Sequence, residues 1–440
     1  MAKSKRPLPK KSASKKNSAA NLSSSVDELA AAAADNSLQT GRFIVTLKEA
    51  AGQKALESFS AQGMRIADSR DFKNHAVDLE SVGDADVLHF DEIGCAVISG
   101  AAAAERSMGA QMELASDSPI HVIEPEYFVF AAGDSSEFLR GFLEATEAIS
   151  KQIGGDFAKH VDSVDKEDVS AEVLGNTWGL AACRVPTSPR SGVGIKVAVL
   201  DTGMFLTHPD FIGRPVVSQS FITGQPVMDA MGHGTHCIGT SCGTKTPPGT
   251  NPRYGIAWRA NIFAGKVLSN SGSGTTATVL AGMNWAIANR CPVISMSLGA
   301  QTPVQAAYTA AGQAALNNGC LMIAAAGNFA TTTGAPANSP TIMSVAALAQ
   351  NLTPANFSDF GKVEIAAPGV GVFSSWLMPQ RYNTISGTSM ATPHVAGCAA
   401  LWAETSPNLR GMNLWRKLIA TARPLLFPAS RVGAGLVQAP

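Results

Sequence analysis

Apolar positions recur along the 440 residues in three different rhythms, and each rhythm marks a different stretch of chain. Arg42–Lys48 is dense in apolar and β-branched residues and reads as a strand. From about Ala50 to Gln62 the spacing turns helical, with Leu56 and Phe59 on one face. Strand-like runs follow at Val87–Phe90 and Ile93–Ile98, then a helical stretch over Ala101–Leu114 and a last strand over Ile120–Glu124. Strand, helix, two strands, helix and strand is the order of a small ferredoxin-like α+β domain, expected over residues 41–131. In residues 132–176, Phe138, Leu139, Phe142, Leu143, Thr146 and Ile149 keep helical spacing before the text turns polar and charged, so a linker carrying one amphipathic helix is expected.

From residue 177 to 440 the rhythm changes again. Ile195–Leu200, Asn261–Val267, Val293–Ser297 and Leu321–Ala325 are short, nearly continuous apolar runs, as strands covered on both faces read. Helical stretches at Gly234–Thr240, Thr276–Asn289 and Thr302–Asn317 alternate with them. Such alternation predicts an α/β domain built on a doubly wound parallel sheet.

Composition adjusts this picture in few places. Hydrophobic residues make up 45% of the chain and charged residues 15%, so a large core is available. The net charge is zero, which gives no reason to expect a nucleic-acid partner. Residues 1–40 have no apolar periodicity, and their basic residues all precede the first acid, Asp27, so a disordered basic tail is expected. No apolar stretch of secretory length follows that basic start, and no later run approaches a membrane span. The expectation is therefore a cytoplasmic protein, with an unconventional export route left open. Seven cysteines at 95, 183, 237, 242, 291, 320 and 398 show no metal-type spacing and are expected as buried, reduced thiols.

The chemistry lies in three segments: Val197–Gly203 with Asp201, Gly232-His233-Gly234-Thr235-His236-Cys237, and Gly387–Gly397 with Ser389. Asp201 closes an apolar strand, at the carboxyl edge where open α/β sheets place their sites. Ser389 opens an apolar helix, where free N–H groups and the helix dipole favour developing negative charge. Ser389 as nucleophile, His233 as base and Asp201 as its orienting partner form a set for acyl transfer. Asn328, in Ala324–Asn328, offers a side-chain amide to the oxyanion. His236 and His394 are read as structural, and Cys237 as a buried thiol beneath His233.

Taken together, Asp201-Thr202-Gly203, Gly232–Cys237, Ser297-Leu298-Gly299, Ala326-Gly327-Asn328 and Ile385–Met390 resemble the subtilisin-like (subtilase) serine peptidases, most closely the proteinase K branch. The resemblance covers residues 177–440 and implies an endopeptidase acting on polypeptides, with broad or moderately apolar preference and no cofactor for the chemistry. It also implies that substrate lies extended between Gly272-Ser273-Gly274 and Ser297-Leu298-Gly299, with Ala326 and Gly327 in the pocket wall. Residues 42–131 look like the family's inhibitory propeptide, which implies a self-processing zymogen with its own propeptide as intramolecular inhibitor. Of the family's calcium ligands, Asp210 agrees with one position, while Thr244–Tyr254 and Leu348-Ala349-Gln350 do not match, so structural calcium stays open. A non-catalytic peptide-binding module and a dedicated processing or ligating enzyme remain as rival readings.

Overall fold

A computed structural model of the chain describes residues 38–72, 79, 82–100, 102, 118–131, 175–249 and 251–440. The N-terminal unit opens with β1 (Gln39–Leu47), α1 (Gly52–Ala61) and β2 (Ile66–Asp68) and continues with β3 (Val87–Phe90), β4 (Cys95–Ile98) and β5 (Ile120–Ala131). Its sheet runs β5-β1-β4-β3-β2. β1 pairs antiparallel with both β4 and β5, as in a ferredoxin-like sheet, and the short β2 is added in parallel beside β3. One face of this sheet buries Val45, Val87 and Ile98 against Ala55 and Phe59 of α1, the apolar pair spacing that defines a helix's core face. The expected helix over 101–114 and the one over 138–149 lie outside the described residues, Ala102 apart.

Two N-terminal boundaries differ from expectation. Asp91–Ile93 forms a helical turn ending at the left-handed Gly94, so the strand expected from Ile93 begins at Cys95. The last strand was expected to end at Glu124, but it runs to Ala131. Its last residues, Phe128–Ala131, find their partners about 150 or more positions downstream, which no local periodicity announces.

The large unit alternates as expected: β6 (Lys196–Asp201), β7 (Val216–Ser220), α2 (His233–Cys242), β8 (Asn261–Lys266), β9 (Ser273–Thr275), α3 (Thr276–Ala288), β10 (Val293–Met296), β11 (Leu298–Gly299), α4 (Ala306–Asn317), β12 (Leu321–Ala325), β13 (Met343–Leu348), β14 (Ile365–Pro368) and α5 (Thr388–Thr405). The helix expected from Thr302 starts at Ala306, after an extended Gln305 and the helix-breaking Pro303. Seven strands form one parallel sheet in the order β14-β13-β12-β10-β6-β8-β7.

Alternation along β6 shows how both faces are covered. Val197 and Val199 point into a core shared with Cys237 and Ile238 of α2 and with Met390 and Val395 of α5. Ala198 and Leu200 point the other way, into a core with Val279, Leu280 and Met283 of α3 and Ala307 and Ala311 of α4. That second core also takes in Leu88, Phe90 and Val97 of the N-terminal sheet, so the small unit docks on α3 and α4. All seven cysteines are free and buried in these cores, as expected. Among the described residues no helix is long and apolar enough to cross a membrane.

Candidate active site

The carboxyl ends of the central strands converge with the starts of α2 and α5. Asp201, the last residue of β6, is fully buried, and its Oδ1 lies 2.7 Å from Nδ1 of His233 and accepts from the N–H of Thr202 at 2.7 Å. A carboxylate accepting from Nδ1 fixes the ring tautomer that leaves Nε2 as the basic nitrogen. Burial works against the protonated imidazole, but the charge and hydrogen bond of Asp201 raise the pKa of His233 well above its ordinary value. Nε2 of His233 is buried without a hydrogen-bond partner among the described residues.

His233 is the first residue of α2, and the chain reaches it through Gly232 at φ +101°. A Cβ on Gly232 would stand 2.5 Å from the Trp376 indole, so only glycine suits this approach. Asp229 fastens the same turn. Its carboxylate accepts from Thr202 Oγ1, from the N–H groups of Met231, Gly232 and Thr235, and from Thr235 Oγ1, at 2.7–3.0 Å. Lys266, fully buried at the end of β8, donates to the Thr202 carbonyl at 2.5 Å and to Asn270 Oδ1 at 2.8 Å. Burial lowers its pKa, against the pull of Asp229 and Asp201. Neither residue was singled out in the sequence. A buried Lys closing an apolar strand beside Asp201 is the one signal that could have flagged this surrounding.

Ser389 is the second residue of α5 and fully buried. It is bonded reciprocally to Ser297: its Oγ donates to the Ser297 carbonyl at 3.1 Å, and Ser297 Oγ donates to the Ser389 carbonyl at 2.8 Å. Cys237 Sγ lies between the two halves of the site, 4.0 Å from His233 Nδ1 and 3.6 Å from the Ser389 carbonyl. Burial raises the pKa of its thiol, as befits a packed neutral side chain. Asn328 accepts through Oδ1 from the N–H (2.9 Å) and Oγ1 (2.8 Å) of Thr388, which ties it to the residue before Ser389. His236 and His394 are buried, bonded to the Val372 and Met390 carbonyls, and pushed down to about 3 and about 4 by burial. Both are neutral structural histidines.

The expected cleft edges are paired, and the strand between them belongs to the chain itself. β5 runs antiparallel to both: Val129 opposite Gly274, Phe130 opposite Ser273 and Gly299, Ala131 opposite Leu298. Ala131 also donates to the Gly272 carbonyl at 2.8 Å. Ala326 and Gly327 directly follow β12, and the Gly327 N–H is bonded to Thr388 Oγ1 at 3.2 Å. Two carboxylates of β5 sit at helix starts. Glu124 accepts from the N–H groups of Ala306 (3.0 Å) and Ala307 (2.8 Å) of α4. Glu126 accepts from Ala277 of α3 at 3.1 Å and is paired with Arg42 of β1 at 2.5 Å.

Asp210, the matching calcium position, is surrounded by donors. Its carboxylate accepts from Tyr254 OH (2.6 Å), Arg381 Nη2 (2.8 Å) and Tyr382 OH (3.0 and 3.1 Å). A guanidinium and two phenols supply positive charge and protons where calcium would require oxygen acceptors, so these residues do not fit that ion.

The Subtilase family profile matches residues 192–435. A thermostable alkaline protease of Halalkalibacterium halodurans is 40% identical over 268 residues, which is 60% of this chain and 72% of that protein. Subtilisin Savinase of Lederbergia lenta is 39% identical over 268 residues, 60% of this chain and 96% of the relative. The crystal structure of a cold adapted subtilisin-like serine proteinase aligns with a TM-score of 0.54 at 33% identity, covering 60% of this chain and 99% of the other. The chain belongs to the subtilase family. It is a subtilisin-like serine endopeptidase, a hydrolase whose chemistry needs no cofactor. This kinship corrects the cytoplasmic expectation: the alkaline-protease relatives point to secretion.

Proposed function

We propose that Ser389 is the nucleophile, His233 the general base and then acid, and Asp201 the group that orients the ring and stabilises its protonated form. Asn328 and the Ser389 N–H would receive the oxyanion. The 2.7 Å Asp201–His233 contact, with Cys237 lying between His233 and the Ser389 backbone, supports this assignment. In this reading the enzyme falls in the proteinase K branch, by the Gly232–Cys237 motif and its buried thiol. Asp210 acts as the anion of an Arg–Tyr–Tyr network and not as a calcium ligand.

We further propose that residues 41–131 are the inhibitory propeptide, residues 132–176 the linker cut on activation, and residues 177–440 the peptidase. The observation that carries this is β5 lying as the middle strand between β9 and β11. Polypeptide substrate would take that same place, bound through its backbone with limited regard to sequence. The fully buried Val129 supports an apolar preference on the acyl side of the scissile bond. Self-cleavage would fall soon after Ala131, the last residue paired in the cleft.

The test is a time course of intact mass for the purified chain beside Ser389→Ala. The native chain should shed a fragment ending within 132–176 and label with a fluorophosphonate, while the variant does neither. If both stay whole and unlabelled, the cleft is a recognition module and the proposal fails.

A further inference from the structure

Behind the loop that carries Asn328 lies a carboxylate with no part in the chemistry above. Asp359 is fully buried, and among the described residues no cation contacts it. Its Oδ1 accepts from the N–H groups of Phe329 (2.8 Å) and Thr331 (2.9 Å). Its Oδ2 accepts from Gln301 Nε2 at 2.6 Å, and its own N–H donates to the Gly327 carbonyl at 2.9 Å. These bonds grip the residue before Asn328, the residue after it and the turn beyond.

The fit leaves no slack. Gly327 stands at φ +118°, and a Cβ there would come within 2.1 Å of Asp359 Oδ2. On the opposite side Asn328 is held by Thr388, so its backbone is fixed from behind and its side chain from in front. Burial pushes the Asp359 carboxyl above its usual range, with the Thr331 and Phe329 N–H groups, Gln301 and, last, the charge of Arg431 pulling it back. A buried carboxylate without a contacting cation is an expensive way to staple a loop if the loop has only to be a loop.

We propose that Asp359 is a positioning residue for the oxyanion donor: it sets the backbone on both sides of Asn328 so that the amide meets the developing charge. The proposal rests on Asn328 being that donor. Loss of one such donor lowers kcat by about 10²–10³-fold, and a misplacement near 1 Å by about 10²-fold, so a shifted loop should be felt in the chemical step and little in binding.

A double-mutant cycle on the matured enzyme tests this, with kcat and KM expressed per active site titrated by a fluorophosphonate. Asp359→Ala should lower kcat about ten- to a hundredfold with KM within about threefold. Asp359→Asn, which keeps an acceptor for Phe329 and Thr331, should recover most of that loss. In an Asn328→Ala background the Asp359→Ala change should cost no more than about twofold, because the donor it places is gone. Equal losses in both backgrounds, or a loss confined to KM, would overturn the positioning role. Should Asp359→Ala fail to fold, Asp359→Ser, which lacks the reach to Phe329 and Thr331, closes the same cycle. The Asn328→Ala single variant separates the two claims: an unchanged kcat there refutes the oxyanion assignment itself, whatever Asp359 does.

Discussion

In the zymogen proposed above, Glu124 offers a direct measure of how the N-terminal unit would hold the cleft shut. Its carboxylate touches the large unit at two points, the N–H groups of Ala306 and Ala307 that open α4. Removing a capping acceptor from a helix start costs about 0.5–2 kcal/mol, and a charge near the dipole adds about 0.3–1. Against this stands the desolvation of Glu124, which raises its pKa and takes back part of the gain. We therefore expect Glu124→Ala to weaken docking by about 1–2 kcal/mol, a factor of about 5–30 in the inhibition constant. Residues 38–131 supplied in trans against the matured enzyme would report it. Glu124→Gln, which keeps a neutral acceptor, should lose about half as much. The native difference should shrink in high salt as the charge–dipole part is screened. Equal inhibition constants for Glu124→Ala and the native segment, within twofold, would refute the capping argument and leave the β5 ladder as the whole grip.

Three further expectations follow from the site. The base must be neutral to accept a proton, and the pKa of His233 is raised above 6.5, so activity is lost as pH falls through that raised value. The acid limb of kcat/KM should therefore lie above 6.5, and a limb at or below it would contradict the Asp201 effect. With Asp210 satisfied by Arg381, Tyr254 and Tyr382, chelation with EDTA should leave this corner intact. Any calcium-dependent rise in melting temperature should then persist in Asp210→Asn, and its loss there would restore the calcium reading. Gly232→Ala combines a positive φ with a Cβ 2.5 Å from Trp376 and should destabilise by about 1–3 kcal/mol while lowering kcat more than tenfold. An unchanged melting temperature would show that Trp376 yields freely.

Much of this enzyme was legible before any coordinates. Local rhythm sufficed for β6, β8, β10 and β12, because strands buried on both faces are written as unbroken apolar runs. β7, with two exposed positions among its five residues, lacks that signature and was missed. The short, alanine-rich β14 gave too little text to read. The residues expected at the site were recognisable because each sits at a strand end or helix start with a fixed neighbour pattern. Lys266 and Asp359 were not, since each acts through backbone groups distant in sequence, and Asp229 was not, since an Asp in a turn reads as an ordinary local cap. Glu124 was visible only as the charged end of a strand and Glu126 as a charge beyond it, and what they cap lies more than 150 residues away.

β5 is at once an edge partner of β1 and the middle strand of the cleft. In the proposed zymogen, the fold of the guard and the closure of the gate would thus depend on one and the same strand. A protease that nicks the guard of a neighbour anywhere along β1 or β5 weakens both together, so each freed molecule becomes an agent for freeing others. Activation should then start slowly and accelerate, with a lag that shortens as protein concentration rises. Such a population switches in a burst, and the concentration at which the chain accumulates sets the moment.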